Sequence, residues 1–382
     1  MSSSNLRFVQ IDLSAIAANV KTVKDRTTAE ILAVVKADAY GHGIIRVAHT
    51  AVQAGASWLG TALLEEAVQL REAGIEVPGG IIAWLTPPGD DFETALKLNI
   101  DLSVSSVAQL SEIIEAGLKM KIKPRIHIEV DTGMRRGGVL NTYNDWSDFL
   151  TYLQSKREQI DVVGLWTHFA RADEPTTQCT QEQLNIFEEY SSELKNIGIE
   201  PELIHVCNSA ATLTRDALDH KSIVRLGIGM YGLSPDRKML GDATESFGLR
   251  PAMKLKAKLV QIKKASKGSA VGYGGTQVLE EDTYLGVVIL GYSDGIPRHA
   301  SNAVGVSFNG VKAPLVGRVS MDQISVDLGP NPIAKAGDYV TVFGGNDGGY
   351  SIDDWANACK TINYELVTRI ARRVRRVYSE EE

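Results

Sequence analysis

Lys36 closes the apolar run "ILAVVK", and Asp38, Tyr40 and His42 follow it at alternate positions in "ADAYGHG". Lysine is seldom buried unless it is paired or used. A lysine that ends a core strand either lifts its charge to solvent or is held there for chemistry. Other polar residues follow similar apolar runs. "HIEVDTGMRRGG" supplies Glu129, Asp131 and Arg136, and "WTHFARAD" supplies His168. "HVCNSAAT" supplies Asn208 and Ser209, and "VRLGIGMYG" supplies Arg225, Gly227 and Ile228. The stretch "GIGMYG" fits GxGxxG, but a Rossmann fingerprint needs a helix to open there. The turn-like "LSPDRK" follows instead. A lysine at one end of a site and a glycine-lined phosphate cradle at the other suit pyridoxal 5′-phosphate. Its aldehyde forms a Schiff base with an amine, and its phosphate anchors the far end.

These residues need elements to bring them together. Eight apolar runs read as strands: "ILAVVK", "WLGTA", "GIIAWL", "DLSVS", "RIHIEV", "VVGLWTHF", "LIHVCN" and "IVRLGI". Amphipathic segments such as "ALLEEAVQLREAG" lie between most of them, with apolar residues recurring at three and four. Gly55, Gly74, Gly117 and Gly198 stand where helix-stopping glycines belong. The alternation predicts an α/β fold, a (β/α)₈ barrel, whose active site lies at the C-terminal strand ends. From about Arg250 the pattern changes to period two in "MKLKAKLVQIKK". "TYLGVVILGY", "AVGVSFNG", "APLVGRVSMDQISVDL" and "GDYVTVFGG" continue as strand-like pieces, and a closing helix is expected from about Asp353 to Val377. The expected domains are residues 1–245, the barrel, and 246–382, a smaller mostly-β domain, with the first ten or so residues packing on the latter.

Composition narrows the classes. The 382 residues carry a formal charge of −7, which speaks against a general nucleic-acid binder. The five arginines of "RIARRVRRV" read as a solvated helix face or a subunit contact. Three cysteines without a CxxC pair give neither a disulfide framework nor a zinc site. No HExxH or His/Cys cluster has metal-ligand spacing, so no metal is expected. No run of eighteen apolar residues and no apolar signal core stand in the sequence, so a cytoplasmic protein without a membrane span is expected.

"AVVKADAYGHG" closely resembles the cofactor-lysine motif of alanine racemases. "DTGMRRGG", "THFARADE", "NSAAT", "VRLGIGMYG", "VGYGGT", "GYSDGIPR", "GRVSMDQ" and "INYEL" resemble that family's blocks in the same order, along nearly the whole chain. The resemblance implies a pyridoxal-phosphate barrel, a β domain and a homodimer whose active sites are shared. It implies that L-alanine and D-alanine are interconverted for peptidoglycan, with Lys36 carrying the cofactor and acting as one base. Tyr273 of the other subunit would be the second base. Arg225 would face the pyridine nitrogen, and His168 would bridge Arg225 towards Tyr273. Tyr40, Ser209, Gly227, Ile228 and Tyr364 would hold the phosphate, with Asn208 beside them. Arg136 would contact the cofactor's phenolic oxygen and the substrate. Met321 of the partner subunit, through its backbone, and Tyr292 would meet substrate, and Asp173, Tyr292, Arg298 and Arg318 would line the entry.

Two departures stand out. Glu129 occupies a position where many members carry a carbamylated lysine; it is expected to supply that anion and to pair with Arg136. Arg135 precedes Arg136, and spacing from "DTGM" favours Arg136 as the cofactor contact. Asp38 and His42 are expected to orient the loop, and His127 and His205 to be satisfied core histidines. Three other readings remain at this stage: a racemase of another small amino acid such as serine, a decarboxylase on the same architecture, and a cofactor carrier without turnover. A decarboxylase should show an acidic partner for the pyridine nitrogen and a cysteine-bearing substrate loop, and a carrier should lack the β domain.

Overall fold

The computed structural model describes residues 6–142, 145–214, 222–344 and 348–379. The chain divides into two compact units. One comprises Ile16–Ala39 and Ile44–Arg250; the other comprises Met1–Ala15, Tyr40–Gly43 and Pro251–Glu382.

The first strand of the chain, β1 (Arg7–Asp12), belongs to the second unit. The barrel strands are β2 (Glu30–Val34), β3 (Trp58–Leu63), β4 (Gly80–Leu85), β5 (Ile100–Val104), β6 (Arg125–Glu129), β7 (Asp161–Trp166), β8 (Leu203–His205) and β9 (Ile223–Leu226). They are the eight runs expected from the sequence. They form one sheet in the order β8-β7-β6-β5-β4-β3-β2-β9, parallel throughout. Ser222 N donates to Ile204 O at 3.0 Å and Arg225 N to Cys207 O at 2.9 Å, which closes the ring between β9 and β8. Both faces of such a sheet are covered, so its strands are apolar almost throughout; β5 is buried over its whole length.

The intervening helices follow their caps. Ser106 Oγ accepts from Gln109 N at 3.2 Å and opens the helix Val107–Met120. Gly117, expected to stop that helix, lies inside it; the stop is Lys121 in the left-handed region. Gly117 is small because Pro124 packs on it, 2.7 Å from where a methyl would sit. Gly164, in the middle of β7, has a similar origin. A methyl there would fall 2.0 Å from His127 Nδ1, so the glycine makes room for a buried imidazole.

The second unit is built on the long strand β10 (Met253–Ala265), whose first seven residues alternate buried and half-buried as the period-two pattern requires. Small strands β11 (Ala270–Val271) and β12 (Gln277–Val278) pair with each other, and β13 (Thr283–Val288) pairs with β10. β14 (Gly305–Phe308), β15 (Val311–Pro314), β16 (Ile324–Asp327), β17 (Tyr339–Phe343) and β18 (Arg375–Ser379) complete the sheet. β1 pairs antiparallel to β10 and parallel to β18.

The single helix expected over residues 353–377 does not form. Ser351 caps a short helix, Ile352–Ala358, and a second runs over Asn363–Thr368, with Lys360 in the left-handed region between them. The arginine-rich end becomes β18 because pairing with β1 satisfies its backbone. One of its arginines is used within the unit: Arg376 donates to Gly41 O, Ile370 O, Ala371 O and Val374 O. "APLVGRVSMDQISVDL", expected as one strand-like piece, is two strands with a loop carrying Arg318 and Met321 between them. No helix among the described residues is long and apolar enough to cross a membrane.

Candidate active site

Strand β2 hands over to Lys36 through an unusual bend. Val35 N still donates to Gly60 O at 2.9 Å, as barrel backbone does. Ala37, Asp38, Ala39 and Tyr40 then adopt φ of 53°, 54°, 52° and 52°, a full turn of left-handed backbone without a glycine. Each such residue costs about 1–2 kcal/mol. Local hydrogen bonds hold the turn: Ala39 N to Val35 O (2.8 Å), Ala37 N to Glu66 Oε1 (2.6 Å) and Ile44 N to Asp38 Oδ1 (2.8 Å). His42 Nδ1 donates to Tyr40 O at 2.9 Å, so Asp38 and His42 both serve the bend. Gly41, at φ 77°, has no room for a side chain, since a methyl would sit 2.2 Å from Val367 O.

The lysine this turn presents is a poor cation. Burial pulls the Lys36 amine below its ordinary range, Arg136 and Arg225 add to the shift, and Glu66 opposes it. Its Nζ lies 6.0 Å from the centroid of the Trp84 ring. A larger share of free amine makes a better nucleophile and a better base.

Arg225, on β9, is 3% exposed. Its Nη1 donates to His205 O, and its Nη2 donates to Thr167 O at 2.8 Å and Val206 O at 3.4 Å. Nη2 also lies 3.4 Å from His168 Nδ1. The guanidinium stacks 5.0 Å above Trp166. No carboxylate among the described residues comes within 4.0 Å of it. Burial lowers its pKa to about 10, which still leaves it charged at neutral pH. Both terminal nitrogens are committed to the barrel, and Nε–H is the donor that no described residue takes up. His168 is held well below the ordinary histidine range by burial, then by Arg225, Arg136 and Lys36. It is therefore neutral, and the positive charge beside it belongs to Arg225 alone.

Ser209 ties two strand ends together. Its Oγ accepts from Gly227 N at 2.8 Å and from Gly229 N at 3.3 Å. The hydroxyl proton remains to be given to an acceptor. Gly227 and Ile228 open the short turn Ile228–Tyr231, not a Rossmann helix. Asn208 Oδ1 accepts from Ala211 N at 3.1 Å, so its side chain starts the helix Ser209–Thr214.

Arg136 and Glu129 are near but not paired. No Arg136 nitrogen reaches a Glu129 oxygen within 4.0 Å, against the expectation of an ion pair. Burial raises Glu129 to about 7, while Arg225 and Arg136 act on it as charges from further away and lower it. Glu129 sits under Gly137, where a methyl would fall 3.2 Å from both its oxygens; Arg136 is exposed. Arg136 rather than Arg135 supplies the field felt at Lys36, Glu129, His168 and Arg225. Arg135 turns to Asp131, 4.0 Å away.

The remaining residues lie in the other unit. Tyr40 and Tyr364 face each other with ring centroids 6.2 Å apart. Burial pushes the Tyr40 phenol up, so it stays a neutral donor. Tyr273 stands in a glycine-flanked turn, 68% exposed, and Met321 and Tyr292 are also exposed. Their segments adjoin. Tyr292 N donates to Ser320 O at 3.0 Å and Ser293 N to Met321 O at 3.1 Å. A methyl on Gly317 would fall 2.6 Å from Val271 O, so the Tyr273 turn and the Arg318 loop lie against each other. Arg298 and Arg318 line one cavity in this unit. Asp173 follows β7 in the barrel unit, half-buried.

Sequence reasoning missed Trp84, Trp166 and Glu66. Trp166 had a signal, an aromatic two residues before His168 in the same apolar run. Glu66 had none, because it reaches the bend only through folding.

The barrel residues fit pyridoxal 5′-phosphate on their own chemistry. Lys36 offers an amine whose pKa burial lowers, Arg225 keeps an unused Nε–H for a ring nitrogen, and Ser209 keeps a hydroxyl proton for a phosphate.

Comparison with known proteins agrees. Residues 11–235 match the family model "Alanine racemase, N-terminal domain", and residues 252–378 match "Alanine racemase, C-terminal domain". The alanine racemase of Salinispora tropica is 44% identical over 378 residues, 98% of each chain. That of Thermobifida fusca is 42% identical over 381 residues, covering 98% of this chain and 99% of the relative. The crystal structure of alanine racemase from D-cycloserine producing Streptomyces lavendulae superposes with a TM-score of 0.94 at 40% identity, covering 99% of this chain and 98% of that one. The chain belongs to the alanine racemase family.

Proposed function

We propose that the chain interconverts L-alanine and D-alanine with two bases, Lys36 and Tyr273 of the partner subunit. The family is pyridoxal 5′-phosphate dependent. When bound, that group supplies the electron withdrawal that makes the Cα–H of an amino acid acidic. Lys36 would hold it at the aldehyde, and Tyr40, Asn208, Ser209, Gly227, Ile228 and Tyr364 at the phosphate. Arg136 and Arg225 would hold the phenolic oxygen and the ring nitrogen. Lys36 Nζ then takes or gives the Cα proton on one face, and the phenolic oxygen of Tyr273 does so on the other. Met321 and Tyr292 meet the substrate.

The observation that carries this reading is Arg225. It is fixed by main-chain carbonyls and a neutral histidine, and it has no acid to pass on. A guanidinium cannot give its proton to the ring nitrogen at neutral pH. The bound group would then withdraw electrons weakly, which suits proton exchange at Cα and speaks against a decarboxylase on the same architecture. The exposure of Tyr273, Met321 and Tyr292 supports a homodimer with shared sites. The three free cysteines suit a reducing cytoplasm, where D-alanine would serve peptidoglycan. The test is turnover of L-alanine in D₂O. D-Alanine deuterated at Cα supports the two-base racemase. Deuterium with retained L configuration leaves only one working base. No exchange with alanine but racemisation of serine moves the substrate assignment to serine.

A further inference from the structure

A chain of side chains links Arg225 to the opposite end of the barrel. At the bottom rim Arg125, the first residue of β6, donates Nε to Asp101 Oδ1 at 2.9 Å and Nη2 to Oδ2 at 3.1 Å. Asp101 is 1% exposed, and its Oδ2 lies 3.1 Å from His127 Nε2. His127 Nδ1 is 3.1 Å from His205 Nε2, and His205 Nδ1 is 3.5 Å from Arg225 Nη1. Both imidazoles are fully buried. Trp166 stacks on His205 with ring planes 9° apart, and its indole Nε1 donates to Ser103 Oγ at 3.0 Å.

The ends of this chain dictate its direction. Asp101, as a carboxylate, only accepts, so His127 carries its proton on Nε2 and turns a lone pair at Nδ1 to His205. His205 then carries its proton on Nε2 and offers a lone pair at Nδ1. Arg225 only donates, so it demands that same lone pair. Burial, His127 and Arg225 keep His205 well below the ordinary histidine range, hence neutral.

We propose that Asp101 is a positioning residue for the reaction: through His127 and His205 it fixes the tautomer that faces Arg225, and so holds the guanidinium in the orientation the cofactor ring meets. The proposal rests on the role given to Arg225 above. Arg125 has a share in it. In Asp101→Asn, Arg125 claims the amide oxygen, leaving the amide N–H₂ to donate to His127 Nε2. Both tautomers then invert, and an N–H of His205 confronts an N–H of Arg225.

The test reads tautomers and turnover separately. With only seven histidines in the chain, ¹⁵N spectra of histidine-labelled apoprotein resolve the two rings. In the unmutated protein both His127 and His205 should be protonated at Nε2. Asp101→Asn should move both protons to Nδ1 and lower kcat of the holoenzyme about 10- to 100-fold, with KM for alanine little changed. Adding Arg125→Met frees the amide to turn its oxygen back to His127, so the double variant should regain the tautomers and most of the rate. A merely structural Asp101 would predict further loss in the double variant. His205 found protonated at Nδ1 in the unmutated protein overturns the proposal, even where the variant fails to fold. Inverted tautomers with unchanged kcat overturn it as well. The apoprotein spectra contain no substrate, so a wrong substrate assignment leaves them as they are.

Discussion

Arg225 Nη2 lies 3.4 Å from His168 Nδ1, and a group that can only donate makes that ring nitrogen an acceptor. His168 therefore holds its proton on Nε2 and stays neutral across the working range. It should contribute no limb to the pH profile of kcat/KM between about pH 6 and 9, since its pKa is pushed far below the usual ~6.5. His168→Gln, which keeps a donor and an acceptor, should leave the profile's shape intact. A limb near pH 6.5 that disappears in this variant would contradict the neutral assignment.

Lys36 and Tyr273 are expected to serve one site from two subunits. Each single variant, Lys36→Met or Tyr273→Phe, should lose about 10²–10⁴-fold in racemisation. Mixing the two inactive proteins under subunit exchange should restore about a quarter of the original activity, because half the dimers are hybrids with one intact site of two. No recovery despite proven hybrid formation would place both residues in the same subunit's site.

Glu129 gives a stability prediction with a definite sign. Its folded-state pKa of about 7 lies above the ordinary carboxylate value. The native state thus binds more protons than the unfolded chain between about pH 4.5 and 7, and stability falls as pH rises through that window. Glu129→Gln removes this component. Thermal melts of the apoprotein should show the variant gaining on the parent from pH 5 to pH 8. An unchanged difference between the two would mean that Glu129 ionises normally.

Arg373 acts on Met321 from behind. Its Nε donates to Asp294 Oδ1 at 2.7 Å, and Nη2 bonds Ser293 Oγ and Asp322. Ser293 Oγ in turn donates to Met321 O at 2.6 Å. Asp294 is fully buried and is also held by Arg7 at 2.6 Å. Arg373→Ala should loosen this loop and raise KM for alanine more than it lowers kcat. Steady-state kinetics decide the matter, and an effect confined to kcat would deny the loop a part in substrate binding.

Much of this was legible in the sequence, for identifiable reasons. Barrel strands are buried on both faces, so they read as apolar runs, and polar residues that follow five of the runs pointed to the mouth. Gly117 misled because a glycine can serve packing, here against Pro124, as well as a helix stop. The arginine-rich end misled because its residues suit a helix until β1 offers a partner strand. The Asp101–His127–His205 chain was illegible: its members lie far apart in sequence, on β5, β6 and β8, and only the assembled sheet joins them. Gly164 was its one trace, a glycine in mid-strand whose missing methyl is occupied by the His127 ring.

The left-handed turn after Lys36 reverses a familiar rule of mutagenesis. Glycine in place of alanine ordinarily weakens a protein, because the unfolded chain gains freedom. At Ala37, exposed and at φ 53°, the native backbone is one that glycine adopts without steric cost. Ala37→Gly should therefore make the apoprotein more stable, by up to about 1 kcal/mol. The residues around the lysine proposed as a base are at odds with their own backbone, and a sequence chosen for durability alone would not retain them.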